Sequence, residues 1–326
     1  MSTPALNRNS VILGKVESTY GTDPTPTVSA NAILGTVPQI NLDARILERS
    51  VTVRTLSPTA HIIGRKLVPF SYGVEFKSEQ AILAGSSSAP LQLDAILRAS
   101  GFTPTYEAET SGGADDGYVT YAPRSTGLES LTHYFFPGNE MRHIVKGAFL
   151  DFNIEIAAGQ YAMMNVNGKG IYTQPTDTSA SALTLAPDEP TPVESISLAF
   201  GAITGTVVRN LNIAMNNEIV ERDDVNSAEG FKGLRLTGRK PILKFRMEKE
   251  LAATWNIYSA LDAGTSYATT FTIGSVAGKK ILVTIPKLVL SSISESDDAG
   301  IVMLDVEALC ARDSDSGDDE ITFKFF

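Results

Sequence analysis

Between positions 68 and 76 apolar and polar residues alternate. Val68, Phe70, Tyr72, Val74 and Phe76 fall on one side, and Pro69, Ser71, Gly73 and Glu75 on the other. A period of two places each set on its own face of a strand, so a half-buried β-strand is expected here. The clearest strand comes later, where Ala148, Leu150, Phe152, Ile154 and Ile156 interleave with Phe149, Asp151, Asn153 and Glu155. Ala158-Gly159 turns it, and Ala162, Met164 and Val166 face the core on the return. Strands are also expected over 281–294 and 301–310, with Ile321, Phe323 and Phe325 forming a last one after an acidic turn. Helical spacing is rare. A turn over 85–90, with Pro90 suited to opening a helix, leads into Leu91, Leu93, Ile96 and Leu97, and Gly101 stops that face. Leu251, Trp255, Ile257, Tyr258 and Leu261 give a second short helix before Gly264. The long polar run 102–132 reads as an extended excursion with room for its own hairpin.

The pattern occurs twice. Ile46-Leu47-Glu48-Arg49 followed by Gly64-Arg65-Lys66 returns as Ile219-Val220-Glu221-Arg222 followed by Gly238-Arg239-Lys240. An alternating strand, a short helix and paired strands come after each. The offset is 174 from Gly64 to Gly238, 164 from Leu97 to Leu261, and 140 from Asn165 to Asp305. The drop falls where the 102–132 excursion sits, so one localised insertion reconciles the two copies. The expected organisation is an arm over 1–35, a unit over 36–175, a Thr-, Ser- and Pro-rich linker over 176–192, and a second unit over 193–326.

Residues 13–26, containing Glu17-Ser18-Thr19-Tyr20-Gly21-Thr22-Asp23-Pro24, resemble the opening of tail tube (major tail) proteins of long, non-contractile-tailed bacteriophages. In that family a stretch of the form Glu-x-Thr-Tyr-Gly-Thr-Asp-x-x-Pro precedes Asn-Ala-Ile-Leu, matched here by Asn31-Ala32-Ile33-Leu34. The resemblance implies a mainly β fold: two packed β-sheets with a flanking short helix, here duplicated in tandem. It also implies subunits joined into rings around a barrel, and rings stacked through arms and loops. Partners would be further copies of the chain, as a ring of three with pseudo-sixfold symmetry or a ring of six. The tape measure, tail terminator and distal tail proteins would join them. DNA would pass without specific binding, no membrane would be involved, and the product of the host cytoplasm would end in the virion tail. A second half acting as an outer decoration domain stays open. By resemblance, Glu17, Tyr20, Gly21 and Asp23 are expected at contacts between rings.

A sheet with open edges associates unless its edges are covered or closed. If the strands around 148–156 and 161–169 join a ring, their polar face lines the hole with Asp151, Asn153, Glu155, Asn165 and Asn167, and Asp305 and Glu307 do so in the second unit. An acidic lining would repel phosphates. Half-exposed strands carry polar residues on their wet side in any protein, so this pattern alone does not make a lumen.

Composition narrows the alternatives. Of the 326 residues 43% are hydrophobic and 20% charged, with 37 acidic against 27 basic and no basic block, which argues against a nucleic-acid reader. The single cysteine, Cys310, permits no internal disulfide and suits a reducing compartment. No secretion signal and no apolar run of membrane-spanning length is read.

Candidate chemistry is sparse, and no catalytic group, cofactor or metal is expected. Gly274-Ser275-Val276-Ala277-Gly278-Lys279-Lys280 lacks the spacing and the hydroxyl of a phosphate loop and reads as a hairpin turn. The acidic run 313–320 lacks the glycine position and distal glutamate of a calcium loop. His61, His133 and His143 are dispersed. Arg65-Lys66 and Arg239-Lys240 read as charges protecting strand edges. The function expected is a structural tube component; the alternative is a two-domain β-sandwich binding or decoration module on a virion or cell surface.

Overall fold

The computed structural model describes residues 6–52, 54–78, 92–107, 117–183, 189–194, 196, 198–227, 230–276 and 279–326. The turn expected over 85–90, Leu91 of the first helix, most of the glycine-rich run at 111–117, and Ala277 and Gly278 lie outside these residues. The first half runs β1 (Val11–Val16), α1 (Val28–Asn31), β2 (Ala32–Ile33), β3 (Gln39–Ile40), β4 (Asp43–Leu47) and β5 (Ile62–Glu75). It continues with α2 (Asp94–Ala99), β6 (Phe102–Glu107), β7 (Tyr118–Pro123), β8 (Leu131–Phe136), β9 (Met141–Ala157), β10 (Met163–Tyr172) and β11 (Thr176–Asp177). The second half holds β12 (Ala199–Phe200), β13 (Ile203–Thr204), β14 (Val208–Ala214), β15 (Glu218–Asp223), β16 (Phe231–Gly238) and β17 (Ile242–Glu248). After α3 (Ile257–Asp262) come β18 (Ser266–Ile273), β19 (Ile281–Asp298), β20 (Ile301–Cys310) and β21 (Thr322–Phe325). The protein is mainly β.

A front layer of antiparallel strands crosses both halves in the order β3, β5, β10, β9, β14, β17, β20, β19. Its two halves repeat in register. Gln39 opposes Ser71 and Ile40 opposes Phe70, while Asn212 opposes Lys244 and Ile213 opposes Leu243. Both members of each pair are displaced by the same amount (212 − 39 = 173, 244 − 71 = 173). Lys169 lies between Pro69 and Phe149 as Leu309 lies between Ile242 and Val289. Thus β3, β5, β10 and β9 correspond to β14, β17, β20 and β19.

The two long strands β9 and β19 belong to both layers. The first part of β9 pairs with β8, and the first part of β19 with β18 and β21; the later parts join the front layer. Ladder register slips near Gly147 in β9 and near Pro286 in β19, and these bulges give the strands the bend they need to change layers. Behind the front layer, Phe102 of β6 and Phe323 of β21 both meet Phe152 of β9, and Phe323 and Phe325 meet Phe76 edge-on. In the second half Phe200 stacks on Trp255 and packs on Phe245.

One cluster of buried side chains extends from Ile12 through Phe152 and Ile213 to Phe325. The halves are therefore two repeats sharing one core, with β9 bonded to β14 and β7 to β21. The arm read over 1–35 joins this body from Val11 onward: β1 lies between β2 and β8 with both faces covered, which is why Val11-Ile12-Leu13 shows no polar alternation. Within the 176–192 stretch β11 pairs with the start of β9 and Pro192 bridges to Tyr161, and just beyond it the Val193 N–H donates to the Gln160 carbonyl at 2.7 Å.

One element adds to the reading of the sequence and one differs from it. The 102–132 excursion does hold its own hairpin, β6–β7, and it packs into the body, with Phe102, Val119 and Tyr121 fully buried. Pro104 is tolerated because β6 is an edge, bonded only to β7 among the described strands. The second helix begins at Ile257 rather than Leu251, because the Asn256 side chain accepts the Ser259 N–H and caps it there; Leu251 is exposed.

Candidate functional site

The polar face of the front layer is the most extended candidate surface. Every second residue of each strand points into the core, so the intervening residues share the other side. One row crosses six strands in register: Met163, Glu155, Asn212, Lys244, Glu307 and Ser292. The adjacent row carries Asn210, Arg246, Asp305 and Ser294. On the other side of the first row, Asn165 lies opposite Asn153, and Asn167 opposite Asp151. All seven residues expected at a lumen therefore lie on one face of one sheet. That face is hollowed over Glu155, Asn212, Lys244 and Glu307, a depression of about 450 Å³.

Its charge is unevenly distributed. Asn165 and Asn153 both donate to a Glu155 carboxylate oxygen, at 3.0 and 3.3 Å. No cation pairs with Glu155 or Asp151 among the described residues. Burial raises the Asp151 carboxyl above its ordinary range, although the Asn217 and Phe152 N–H groups favour the charged form. In the second half the carboxylates are answered. Glu307 pairs with Lys244, Asp305 lies 3.6 Å from Arg246, and Ser296 donates to Asp305 at 2.6 Å. Across these rows the face is polar apart from Met163, and acidic without compensation only in the first half. Reading β9, β10 and β20 alone missed Asn210, Asn212, Lys244 and Arg246. The alternation of Lys244 and Arg246 with Leu243, Phe245 and Met247 was the signal for two of them.

The segment that carries the family resemblance is a latch within the chain. Glu17 is 5% exposed, and its carboxylate accepts from Ser130 and Thr132 hydroxyls at 2.6 Å, Gly147 N–H at 2.7 Å and Gly21 N–H at 2.6 Å. Asp23 accepts from the Tyr134 hydroxyl and from Thr25 N–H. The Tyr20 ring stacks on Phe149, and its hydroxyl oxygen accepts Leu234 N–H at 2.6 Å from β16 of the other half. Gly147 (φ 59°) and Gly233 (φ 136°) make this approach possible. A Cβ on either would fall within 3 Å of the Tyr20 ring or hydroxyl. Tyr20 and Asp23 keep part of their surface, whereas Glu17 does not.

The β15–β16 hairpin, thus hooked, lies over the first half. Leu234 and Leu236 pack with Leu67 and Phe149, and Glu221 pairs with Arg65 and Lys169. Arg65 also binds Asp223, and Arg239 binds Asp318 and Glu320. The two arginines read as edge charges are therefore ion-pair anchors inside the chain. In the acidic turn, Asp319 accepts from Asp313 and Ser314 N–H, and Asp318 from Ser125, so these carboxylates serve their own backbone and neighbours.

Among curated proteins none matches the chain. A family model described as phage tail tube protein matches residues 7–322, nearly the whole length. That family is structural rather than enzymatic, and the bilayered antiparallel architecture agrees with it. The chain belongs to the phage tail tube protein family, and its place is the virion tail.

Proposed function

We propose that copies of this chain close into rings that stack as the tail tube, and that the polar face of the front layer lines the bore through which the genome leaves. The observation that carries this reading is the front layer itself: a sheet repeated in register across two halves and open at both ends. The outer flank of residues 291–298 has no ladder partner among the described strands, and β3, at the other end, is bonded only to β5. Such edges are stable in solution only if short, charged or paired. Within one chain the same junction is already made once, where β9 of the first half bonds to β14 of the second. Two repeats per chain suit a ring of three with pseudo-sixfold symmetry; a ring of six chains is the competing count.

In this arrangement Asp151, Asn153, Glu155, Asn165, Asn167, Asp305 and Glu307 face the bore. Lys244 and Arg246 neutralise part of their charge, leaving a polar wall with a mild negative excess around Glu155. Such a wall offers phosphates hydration without counter-ion release, the condition for a duplex to slide. The exposed parts of Tyr20, Gly21 and Asp23 remain candidates for contact with the next ring, Glu17 acting behind them as their support. Tape measure, terminator and distal tail proteins are the expected further partners.

Electron microscopy of concentrated protein tests the reading. Hollow tubes with three chains per ring are expected. A monomer or a small closed oligomer would favour the decoration module instead. Normal genome ejection by virions carrying Glu155→Lys together with Glu307→Lys would remove the lining assignment while leaving the tube.

A further inference from the structure

The two halves carry the same hairpin in different surroundings. In the second half, β15–β16 places Leu234 and Leu236 at 3% and 6% exposure against Leu67 and Phe149 of the first half. In the first half the corresponding hairpin is β4 with the start of β5, where Ile46 opposes Ile63 and Leu47 opposes Ile62. By the repeat in register, the pair Ile46–Ile63 is the counterpart of Ile219–Leu236, and Leu47–Ile62 that of Val220–Arg235. Yet Ile46, Leu47, Ile62 and Ile63 are 56%, 44%, 53% and 55% exposed. Ile46 and Ile63 share the hairpin face that Ile219 and Leu236 present in the second half, with Leu47 and Ile62 on the reverse, so an aliphatic pair stands exposed where its counterpart is covered and calls for a partner.

The repeat also names the seat. The β15–β16 hairpin meets Phe149 and Lys169 of the row Pro69, Lys169, Phe149, whose counterparts in the second half are Ile242, Leu309 and Val289. These three are neighbours in register across β17, β20 and β19 and are half-buried, with no hairpin of their own chain over them among the described residues. Seat and hairpin change together. Where the covered seat has Lys169 answering Glu221, the uncovered one has Leu309, and the hairpin left over is the more apolar of the two.

We infer that the β4–β5 hairpin of one copy docks on the Ile242–Leu309–Val289 row of the next, repeating between chains the contact that β15–β16 makes within one. The occupant is a second copy of this chain, because only the second half of another copy offers this row in the arrangement the first half already uses. The inference rests on the ring reading above and specifies its interface. The covered hairpin bends onto its seat after Gly238, where β16 ends and β17 begins only at Ile242, whereas β5 runs unbroken from Ile62 to Glu75. The free hairpin thus projects from the body toward a neighbour.

The test mixes a chain carrying Ile63→Cys with one carrying Val289→Cys under mild oxidation, alongside an Ile46→Asp/Ile63→Asp chain examined by size exclusion, circular dichroism and electron microscopy. A covalent dimer in the mixture, absent from either chain alone, is expected. The double aspartate variant should keep its spectrum and melting temperature, since its changed residues are exposed, while losing ring and tube assembly. Tubes from the double variant together with no mixed disulfide would overturn the hairpin contact and leave the ring reading intact. If the unmodified chain forms neither rings nor tubes, both fall.

Discussion

Ile154 of β9 and Ile213 of β14 face each other directly across the ladder that joins the two halves, and both are fully buried. Each repeat therefore completes its core with a side chain from the other. Tandem repeats joined only by a linker unfold separately; repeats sharing a core unfold together. A single cooperative transition is expected by calorimetry, with van't Hoff and calorimetric enthalpies in agreement. Ile213→Ala should lower the stability of the whole chain by about 2–5 kcal/mol, the usual cost of truncating a buried isoleucine. Two resolved transitions, only one of them moved by the substitution, would show that the halves fold independently.

Glu17 gives a second prediction. Its carboxylate satisfies four donors at an almost inaccessible site, two hydroxyls and two backbone N–H groups. Glu17→Ala orphans all four and loosens the chain at the junction of β1, β8 and β9. Leaving several buried donors unpaired costs roughly 3–5 kcal/mol. Glu17→Gln should cost less, because its amide oxygen keeps part of the acceptor set while its NH₂ opposes donors. Urea denaturation of the three proteins measures the order. Equal stability of wild type and Glu17→Ala would mean that the latch contributes nothing to folding.

The strands legible in the sequence were those with one wet face. Val68–Phe76 and Ala148–Ile156 alternate because the front layer is open on one side, and the residues proposed for the bore were found on that basis. β1, covered on both faces, left no period to read and passed for part of an arm; β6–β7 does alternate, with Val119 and Tyr121 inward, but its Thr- and Tyr-rich sequence blurred that period and it read as an excursion. Long-range ordering was hidden as well. Nothing local to Tyr20 announces that its hydroxyl meets Leu234, since the signal is divided between a tyrosine and two glycines, Gly147 and Gly233, far away in the chain. The repeat was legible at its motifs because they sit on the hairpins, yet what each hairpin covers depends on packing that the motif does not encode.

His133 provides a pH-dependent prediction. The ring is fully buried between Phe70 and Phe135, with centroids 4.8 and 5.0 Å away, and its Nε2 lies 2.7 Å from the Tyr72 hydroxyl while Nδ1 has no partner. Burial pushes the imidazole down to about 3. In the unfolded chain it titrates near its ordinary value of about 6.5. Between those values the unfolded state binds a proton that the folded state refuses. The folded-state advantage of neutral His133 is therefore complete above pH ~6.5 and is lost progressively as pH falls toward ~3, at up to ~1.4 kcal/mol per pH unit. From pH ~6.5 to ~5 most carboxylates remain ionised, so the window is left to His133 and to the partly buried His143, which burial also shifts down, and the variant separates the two. His133→Gln, which stays neutral and can still bond Tyr72, should flatten the dependence there by about that slope even if it lowers stability overall. Chemical denaturation at half-unit pH steps supplies the comparison, and parallel curves for the two proteins would refute the assignment.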